Sequence, residues 1–342
     1  MAFKRVTIQD IADACNLSRN TVSKVFNNRG AVPKSTRKLV LQKAQELGYG
    51  MFSEKQPSPA RDRRVNIALL TQPKLLSHSF GAYFLTSFTD QVSRSGYNLK
   101  IYEISPREIA EKRLPPHLLL EDTAGLLGIE LFDKGYQDMI CSLGIPCTFV
   151  DGHARLVGSL LNCDCISMEN VAASAALTAR LMAAGAKKIG FVGDKEHCSS
   201  FYMRWLGCRT ALEDAGLTLS DDCSILAEDG DYYGDTDWLL SQLDTMPCIP
   251  DAFVCANDYL AIHLMTALKR KGLSIPEDVM VTGFDGSPES AVVEPALTTA
   301  AIPSADIGRG AAVMLFSRID NPDRPHVFMY YKSTPVFRAS TR

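Results

Sequence analysis

The chain has 342 residues, of which 46% are hydrophobic and 22% are charged, so extensive disorder is excluded. This length favours two or three globular units. No segment approaches the about 20 apolar residues of a membrane helix, which argues against an integral membrane protein. The first residues lack the apolar segment of a signal peptide, and the ten cysteines are too sparse for a disulfide scaffold. We therefore expect a cytoplasmic protein with reduced thiols.

Charge is distributed unevenly along the chain. Residues 1–64 hold 13 Lys and Arg against five Asp and Glu, whereas residues 65–342 hold 23 Lys and Arg against 34 Asp and Glu. A basic N-terminal segment can neutralise the phosphates of a nucleic acid, which an acidic remainder repels. Composition alone leaves open the alternative that the basic segment is merely a solvated surface.

The basic segment is predicted to form three helices, at residues 8–15, 19–27 and 33–47. Thr7 and Ser18 are suitable N-caps for the first two. In the second helix the spacing of the apolar residues directs them to one side, so the cationic and amide side chains project from the other. Arg or Lys recognises guanine and Asn recognises adenine. Two helices joined by a tight turn, the second with a polar outer face, are typical of a helix-turn-helix.

From residue 65 onward, apolar runs alternate with amphipathic segments. We predict strands at 65–70, 98–104, 124–130, 146–150, 188–192, 224–227, 252–255 and 279–284, and helices at 83–95, 134–143, 170–184, 201–215, 235–243, 259–271 and 305–319. This alternation predicts an α/β fold with parallel sheets covered by helices. Ligands of such sheets bind beyond the carboxyl ends of the strands, where the sequence places Asp151, Asn257, Asp258 and Asp285.

The basic segment contains five short motifs, at 6–12, Leu17-Ser18, 21–25, Thr36-Arg37 and 47–49. Together these motifs resemble the DNA-binding head of lac repressor-type (LacI/GalR) regulators. The resemblance implies that Arg19 and Asn20 read operator bases and that Lys24 reads a base or an adjacent phosphate. It also implies that five short polar side chains contact phosphates: Thr7, Ser18, Thr21, Ser23 and Asn27. Helix capping stays open as the main role of Thr7 and Ser18, and the two roles can coexist.

The rest of the chain resembles the same family from about residue 65 to residue 342. The matching motifs lie at 144–151, 204–207, 256–258, 281–285, 297–299 and 337–341. This implies two subdomains shaped like periplasmic sugar-binding proteins, with a sugar or nucleoside-like effector in the cleft between them. We therefore predict a helix-turn-helix head at 1–49, a linker at 50–64 and an effector-binding and dimerisation body at 65–342. The body is predicted to divide into 65–160 plus 290–322 and 161–289 plus 323–342.

Arg204 beside Trp205 is the strongest effector-binding candidate, because Arg is a bidentate donor and Trp offers a stacking surface. A surface ion pair is the alternative for Arg204. Capping of a turn or helix is the alternative for the acidic and amide candidates, and packing is the alternative for the aromatic residues after the first strand. The predicted effector contacts are Arg204, Asp285, Asp151, Asn257, Asp258, Trp205, Phe80, Tyr83 and His78.

The linker departs from the pattern of the family. Relatives have a hinge helix whose Leu enters the minor groove, whereas this chain has Pro57, Ser58 and Pro59 at that place. The sequence therefore argues against hinge-helix intercalation. The three arginines within 61–64 could hold phosphates without a hinge helix.

Cys163-Asp164-Cys165 could suggest a metal site, but no second ligand pair has suitable spacing, so we predict no metal and no cofactor. The leading function is a homodimeric, nucleoid-associated transcriptional repressor. Its two heads would read a pseudo-palindromic operator under the control of the effector. One alternative is a periplasmic binding protein, which the basic head and the missing signal peptide disfavour. The other is an α/β enzyme, which is disfavoured because the sequence has no Gly-rich phosphate loop, nucleophile elbow or His/Glu metal pair.

Overall fold

A computed structural model describes residues 7–26, 32–47, 65–73, 79–156 and 161–342. The chain divides into two compact units, residues 1–62 and 63–342. Among the helices in the described ranges, none combines the length and the apolar character that crossing a bilayer requires. The segment predicted as the linker, 50–64, lies outside the described residues, and so do Asn27 and His78.

The first unit contains the three predicted helices: α1 (Ile8–Cys15), α2 (Arg19–Phe26) and α3 (Lys34–Glu46). Helix α1 contacts both α2 and α3. Asn16 ends α1 in the left-handed conformation, with its N–H bonded to carbonyls of the last turn. The helices enclose a small core of Ile11, Ala12, Cys15, Val22, Val25, Val40 and Ala44.

The second unit contains a six-stranded parallel sheet. Its strands are β1 (Asn66–Thr71), β2 (Asn98–Glu103), β3 (Thr123–Ile129), β4 (Cys147–Val150), β5 (Asp164–Met168) and β10 (Phe328–Tyr331). Their order is β10-β5-β4-β3-β1-β2. Alternate residues of β1 face two different cores, as the period of a strand requires. Helices α4 (Ser79–Arg94) and α12 (Ser304–Asp320) contribute to one core, and α6 (Lys134–Cys141) contributes to the other. The short helix α5 (Pro106–Glu111) follows β2.

A second parallel sheet has three strands in the order β6 (Ile189–Val192), β7 (Ala252–Cys255) and β8 (Met280–Thr282). A short antiparallel pair joins β9 (Thr299–Ala301) to β11 (Thr334–Val336). The remaining helices are α7 (Val171–Ala183), α8 (Ser199–Asp214), α9 (Thr236–Thr245), α10 (Asp258–Arg270) and α11 (Pro288–Val292). Short 3-10 turns cover Leu120–Asp122, Asp221–Cys223 and Asp231–Gly234. The α/β body and the helical head are thus confirmed.

The predicted division of the body is wrong at two strands. Strand β5 was not predicted, and it pairs with β4 on one side and β10 on the other. Strands β5 and β10 therefore belong to the six-stranded sheet. The prediction placed them in the other subdomain, within 161–289 and 323–342. The predicted strand at 224–227 contains only a single bridge between Ile225 and Val192. Strand β5 lacks a long apolar run because it begins with Asp164, a fully buried carboxylate that Arg318 neutralises.

Candidate functional site

The carboxyl ends of the two parallel sheets contribute polar residues to one place, and helix α8 connects them. Ser200, in the first turn of α8, donates its N–H to Asp151 Oδ2 over 3.3 Å, and Asp151 directly follows β4. Further along α8, Arg204 reaches Asn170 beyond β5 and Ala256 beyond β7. We call the region formed by the residues that follow β3, β4, β5, β7 and β8, together with the start of α8, the crevice.

Arg204 is the most heavily coordinated side chain of the crevice. It is only 3% exposed, and its guanidinium donates from Nε to Asn170 Oδ1 over 2.9 Å and from Nη1 to the Ala256 carbonyl over 2.6 Å. Nη1 also lies 3.3 Å from Asp285 Oδ1. The guanidinium carbon is 3.9 Å from the centre of the Phe284 ring. The alternative of a surface ion pair is therefore wrong, because Arg204 is a buried group fixed by both sheets.

Two carboxyl groups flank Arg204. Asp285 follows β8 with φ of 118°, and burial raises its pKa to about 7 against the opposing effect of Arg204. Burial also raises the pKa of Asp151, although a hydrogen bond from Ser200 opposes the shift. Asp151 Oδ1 and His153 Nε2 are both buried and have no hydrogen-bond partner among the described residues. Buried polar atoms of this kind are normally satisfied by a ligand or an ordered water.

Asp258 and Asn257 have contacts within the protein. Asp258 Oδ1 accepts from the Thr299 hydroxyl over 2.5 Å, and Oδ2 accepts from the Ser287 N–H over 2.7 Å. Burial raises the pKa of Asp258 to about 6. Asn257 Oδ1 accepts from the Leu260 N–H over 2.9 Å and so caps α10. The structure therefore contains the cap that was the alternative for Asn257, and effector contacts from both residues stay predictions.

The aromatic candidates occupy three different environments. Trp205 is buried in the core of the smaller sheet, where it stacks on Tyr202 at 5.8 Å between ring centres. Consecutive residues of a helix point in different directions, so Trp205 does not face the same way as Arg204. The ring that packs against the Arg204 guanidinium is that of Phe284. Phe80 packs 5.9 Å from Phe84, which fits the alternative of aromatic packing. Tyr83 is 56% exposed and is not a core residue.

Several crevice residues were not predicted: Glu130, His153, Asn170, Ser200 and Phe284. Glu130 directly follows β3 with φ of 55°, and burial raises its pKa to about 7. The rule that selected Asp151 would have selected Glu130 if the predicted strand had ended one residue earlier. The contact of Asn170 with Arg204 carries no local sequence signal, because it depends on how α8 crosses the end of β5.

Helix α2 presents the predicted polar face. Val22 and Val25 are buried, whereas Arg19, Asn20 and Lys24 are exposed. The orientation of the helix is therefore as expected, and base reading by these three residues stays a prediction. The side chain of Phe26 lies outside the described residues.

Thr7 and Ser18 both cap helices. Thr7 and Asp10 form a reciprocal capping box at the start of α1, in which Asp10 Oδ2 accepts from the Thr7 N–H over 2.7 Å. Ser18 Oγ accepts from the Thr21 N–H over 3.1 Å at the start of α2. Because both hydroxyls are exposed, these caps are compatible with the predicted phosphate contacts.

Comparisons with known proteins find matches to both units of the chain. A model of "Bacterial regulatory proteins, lacI family" matches residues 7–50, and a "Periplasmic binding protein-like domain" model matches residues 178–341. The head is a lacI-family DNA-binding domain. It is 28% identical to the HTH-type transcriptional regulator MalR of Streptomyces coelicolor, over 98% of this chain and 96% of MalR. It is 29% identical to the HTH-type transcriptional repressor PurR of Haemophilus influenzae, over 93% of this chain and 92% of PurR.

Solved structures of other transcriptional regulators have the same fold. The transcriptional regulator CelR in complex with cellobiose is 25% identical, with a TM-score of 0.72 over 98% of this chain and 100% of CelR. The lac repressor dimer bound to operator and the anti-inducer ONPF is 20% identical, with a TM-score of 0.69 over 99% of each chain. This protein is a DNA-binding transcriptional regulator with a lacI-family helix-turn-helix head and a periplasmic-binding-protein-like body.

Proposed function

We propose that this regulator is a homodimeric repressor of a pseudo-palindromic operator and that a small polar effector in the crevice controls its affinity for DNA. The observation that carries the effector site is Arg204, buried between the two sheets with Asp285 and Asp151 beside it. Burying a cation is costly unless it is paired and hydrogen-bonded, and Arg204 is held in this way by groups from both sheets. Two heads related by two-fold symmetry match two half-sites of a palindrome. The lac repressor dimer bound to operator supports the same assembly.

The chemistry of the crevice favours a hydroxyl-rich effector, either a sugar or a nucleoside-like molecule. Asp285 and Asp151 supply acceptors for hydroxyl groups, and Arg204, which rests on the buried Phe284 ring, supplies donors. CelR was solved with cellobiose, and another relative is named as a ribose operon repressor. A thermal-shift screen of sugars and nucleosides against the full chain would identify the effector, since a ligand that binds only the folded state raises Tm.

Replacing Arg204 tests the effector site. An effector changes operator affinity only through its different affinities for two states of the protein. We expect Arg204→Ala to stay folded and dimeric, to bind operator, and to lose about 2–5 kcal/mol of effector binding. Arg204→Lys is a second variant that keeps the charge without the bidentate geometry. Arg270→Ala is the matched control, because Arg270 forms an exposed ion pair with Asp237. Unchanged effector affinity in both Arg204 variants would remove Arg204 from the site.

The DNA-binding face is tested separately. We propose that Arg19, Asn20 and Lys24 read bases, and that Thr7, Ser18, Thr21, Ser23 and Asn27 contact phosphates. Replacing Arg19 or Asn20 should change the preferred operator base at about 1–3 kcal/mol per contact. The control Ser23→Ala should weaken binding across all sequences without changing the preference. An unchanged motif after binding-site selection with the Arg19→Ala, Asn20→Ala double variant would contradict the assignment.

Two further proposals concern the linker and the setting. Residues 57–59 argue against an intercalating hinge helix, so a circular-permutation gel assay should find little central bend in the operator.

We place the protein in the cytoplasm, on nucleoid DNA, and propose that it catalyses no reaction, as its named relatives are regulators. Chemical conversion of the bound effector, followed by mass spectrometry, would contradict the last point.

A further inference from the structure

Three thiols converge at the end of the six-stranded sheet opposite the crevice. The sulfur atoms of Cys141, Cys147 and Cys163 all lie within 4.8 Å of one another. Cys165 adds a fourth sulfur, 3.7 Å from that of Cys163. The effector crevice lies beyond the carboxyl ends of the strands, whereas Cys147 begins β4 and Cys163 immediately precedes β5.

The register of the sheet explains this convergence. Thr148 of β4 pairs with Asp164 of β5, so Cys147 and Cys163 stand one residue earlier on neighbouring strands. Both side chains enter the same core, and Cys141 ends helix α6, which packs against that core. Cys141 and Cys147 are six residues apart and Cys163 follows sixteen residues later, so none of them forms a ligand pair with the usual close spacing. For this reason the sequence predicted no metal site.

The cluster borders a cavity of about 160 Å³ that the three cysteines share with Asn162, His326 and Arg318. Cys147 and Cys163 are buried, Cys141 is half-buried and His326 is exposed, so the edge of the cavity is reachable from solvent. The positive charge of Arg318 is balanced by Asp164, whose two oxygens each lie 3.0 Å from its guanidinium nitrogens. The lining therefore combines thiols and one imidazole with a cation that is already paired.

We propose that Cys141, Cys147 and Cys163 bind one thiophilic metal ion, such as Zn²⁺ or Cu(I). Zn–S bonds of about 2.3 Å place two sulfur ligands roughly 3.8–4.0 Å apart in tetrahedral or trigonal geometry. The sulfur atoms need to close by less than about 1 Å to reach it. Thiolates select these soft ions over Mg²⁺ and Ca²⁺, which prefer oxygen ligands. On binding, each thiol that becomes a ligand releases its proton to solvent.

The test uses the full chain, purified with a reductant and then stripped with a chelator. Zn²⁺ is titrated in one arm, with Co²⁺ as its spectroscopic substitute, and Cu(I) is titrated in another against a competing chelator. We expect one ion per chain, with thiolate-to-Co²⁺ charge-transfer absorption and protection of three thiols from alkylation. Loss of an outer-shell partner typically weakens metal binding by about 10–100-fold. Because Cys141 is a direct ligand in this proposal, Cys141→Ser should weaken metal binding by more than that. Cys248→Ser is the matched control, since Cys248 is an exposed thiol that accepts from Lys188 elsewhere on the surface.

Cys163→Ser provides a second variant, and a cooperative urea unfolding transition of each variant reports that its body is folded. A thermal shift with the metal should be present in the wild type and in Cys248→Ser and absent in both cluster variants. The proposal is overturned if neither Zn²⁺ nor Cu(I) binds saturably, or if Cys141→Ser binds as tightly as the wild type. It is equally overturned if mass spectrometry of freshly purified protein finds Cys141 and Cys163 joined as a disulfide.

Discussion

The carboxyl group of Glu130 lies in an environment of the folded protein that disfavours its ionised form. Glu130 follows β3 as Asp151 follows β4, and burial raises its pKa to about 7. An unperturbed Glu has a pKa of about 4.3, so between this pH and about 7 the native state keeps a proton that the unfolded state releases. The free energy of unfolding therefore falls as pH rises through this interval and is fully retained below it.

Replacing Glu130 by Gln should remove this penalty. We expect Glu130→Gln to be more stable than the wild type by about 1–2 kcal/mol at pH 8, allowing for solvent screening of a partly exposed group, and to lose most of this gain by pH 5. Urea unfolding at the two pH values measures it. Glu103→Gln, at the exposed end of β2, is the control and should change little. An equal gain at both pH values would show that the effect is not the titration of Glu130.

Residue by residue, the sequence identified the centre of the crevice but not all of its surroundings. Asp151 and Asp285 follow from the rule that ligands lie beyond strand ends, and Arg204 was identified through the family motif. Phe284 was missed as the ring against Arg204 because neighbouring positions on α8 point in different directions, so Trp205 turns into the core instead. Side-chain direction of this kind depends on how a helix is rotated against its sheet.

At the scale of a single element, Asn257 at the start of helix α10 has two possible roles, a helix cap and an effector contact. Its side chain caps the helix through Leu260, and an effector contact is a separate prediction. We expect Asn257→Ala to cost about 1 kcal/mol of stability through loss of the cap, and Asn257→Asp to retain the cap. Denaturant unfolding and effector titration of both variants decide between the roles. If Asn257 is a cap alone, Asn257→Asp binds effector like the wild type. Weaker binding at unchanged stability assigns it to the effector as well.

Strand β5 marks the limit of predicting elements from sequence in this chain. Helices α4 and α10 were predicted because each has a periodic apolar face. Strand β5 has the sequence Asp-Cys-Ile-Ser-Met, and an acidic residue at its start argues locally against a buried strand. It is nonetheless completely buried, because Asp164 meets partners from a segment more than a hundred residues later, which no local pattern reports.

Across the whole body, Asp164 joins β5 to the end of α12 and to the segment leading into β10. Its carboxylate accepts from Arg318 Nε and Nη2, each over 3.0 Å, from Arg324 Nη2 over 2.5 Å, and from the Val327 N–H over 2.8 Å. The side chain of Asp164 is fully buried and that of Arg318 is 5% exposed, so water cannot replace either partner. This cluster holds the segment between α12 and β10, which we call the returning chain, against the six-stranded sheet.

Removing the carboxylate should therefore destabilise the body strongly. We expect Asp164→Ala to lower the free energy of unfolding by about 3–5 kcal/mol, because it leaves a buried cation without its partner. The double variant Asp164→Ala, Arg318→Met should be less destabilised than the sum of its single variants, since the uncompensated charge is gone. Asp138→Ala is the control, because its ion pair with Lys134 on α6 is exposed and should be worth at most about 1 kcal/mol. Guanidinium unfolding of the four variants measures the coupling. An Asp164→Ala cost no larger than that of Asp138→Ala would mean that pairing of β5 with β10 alone keeps the returning chain in place.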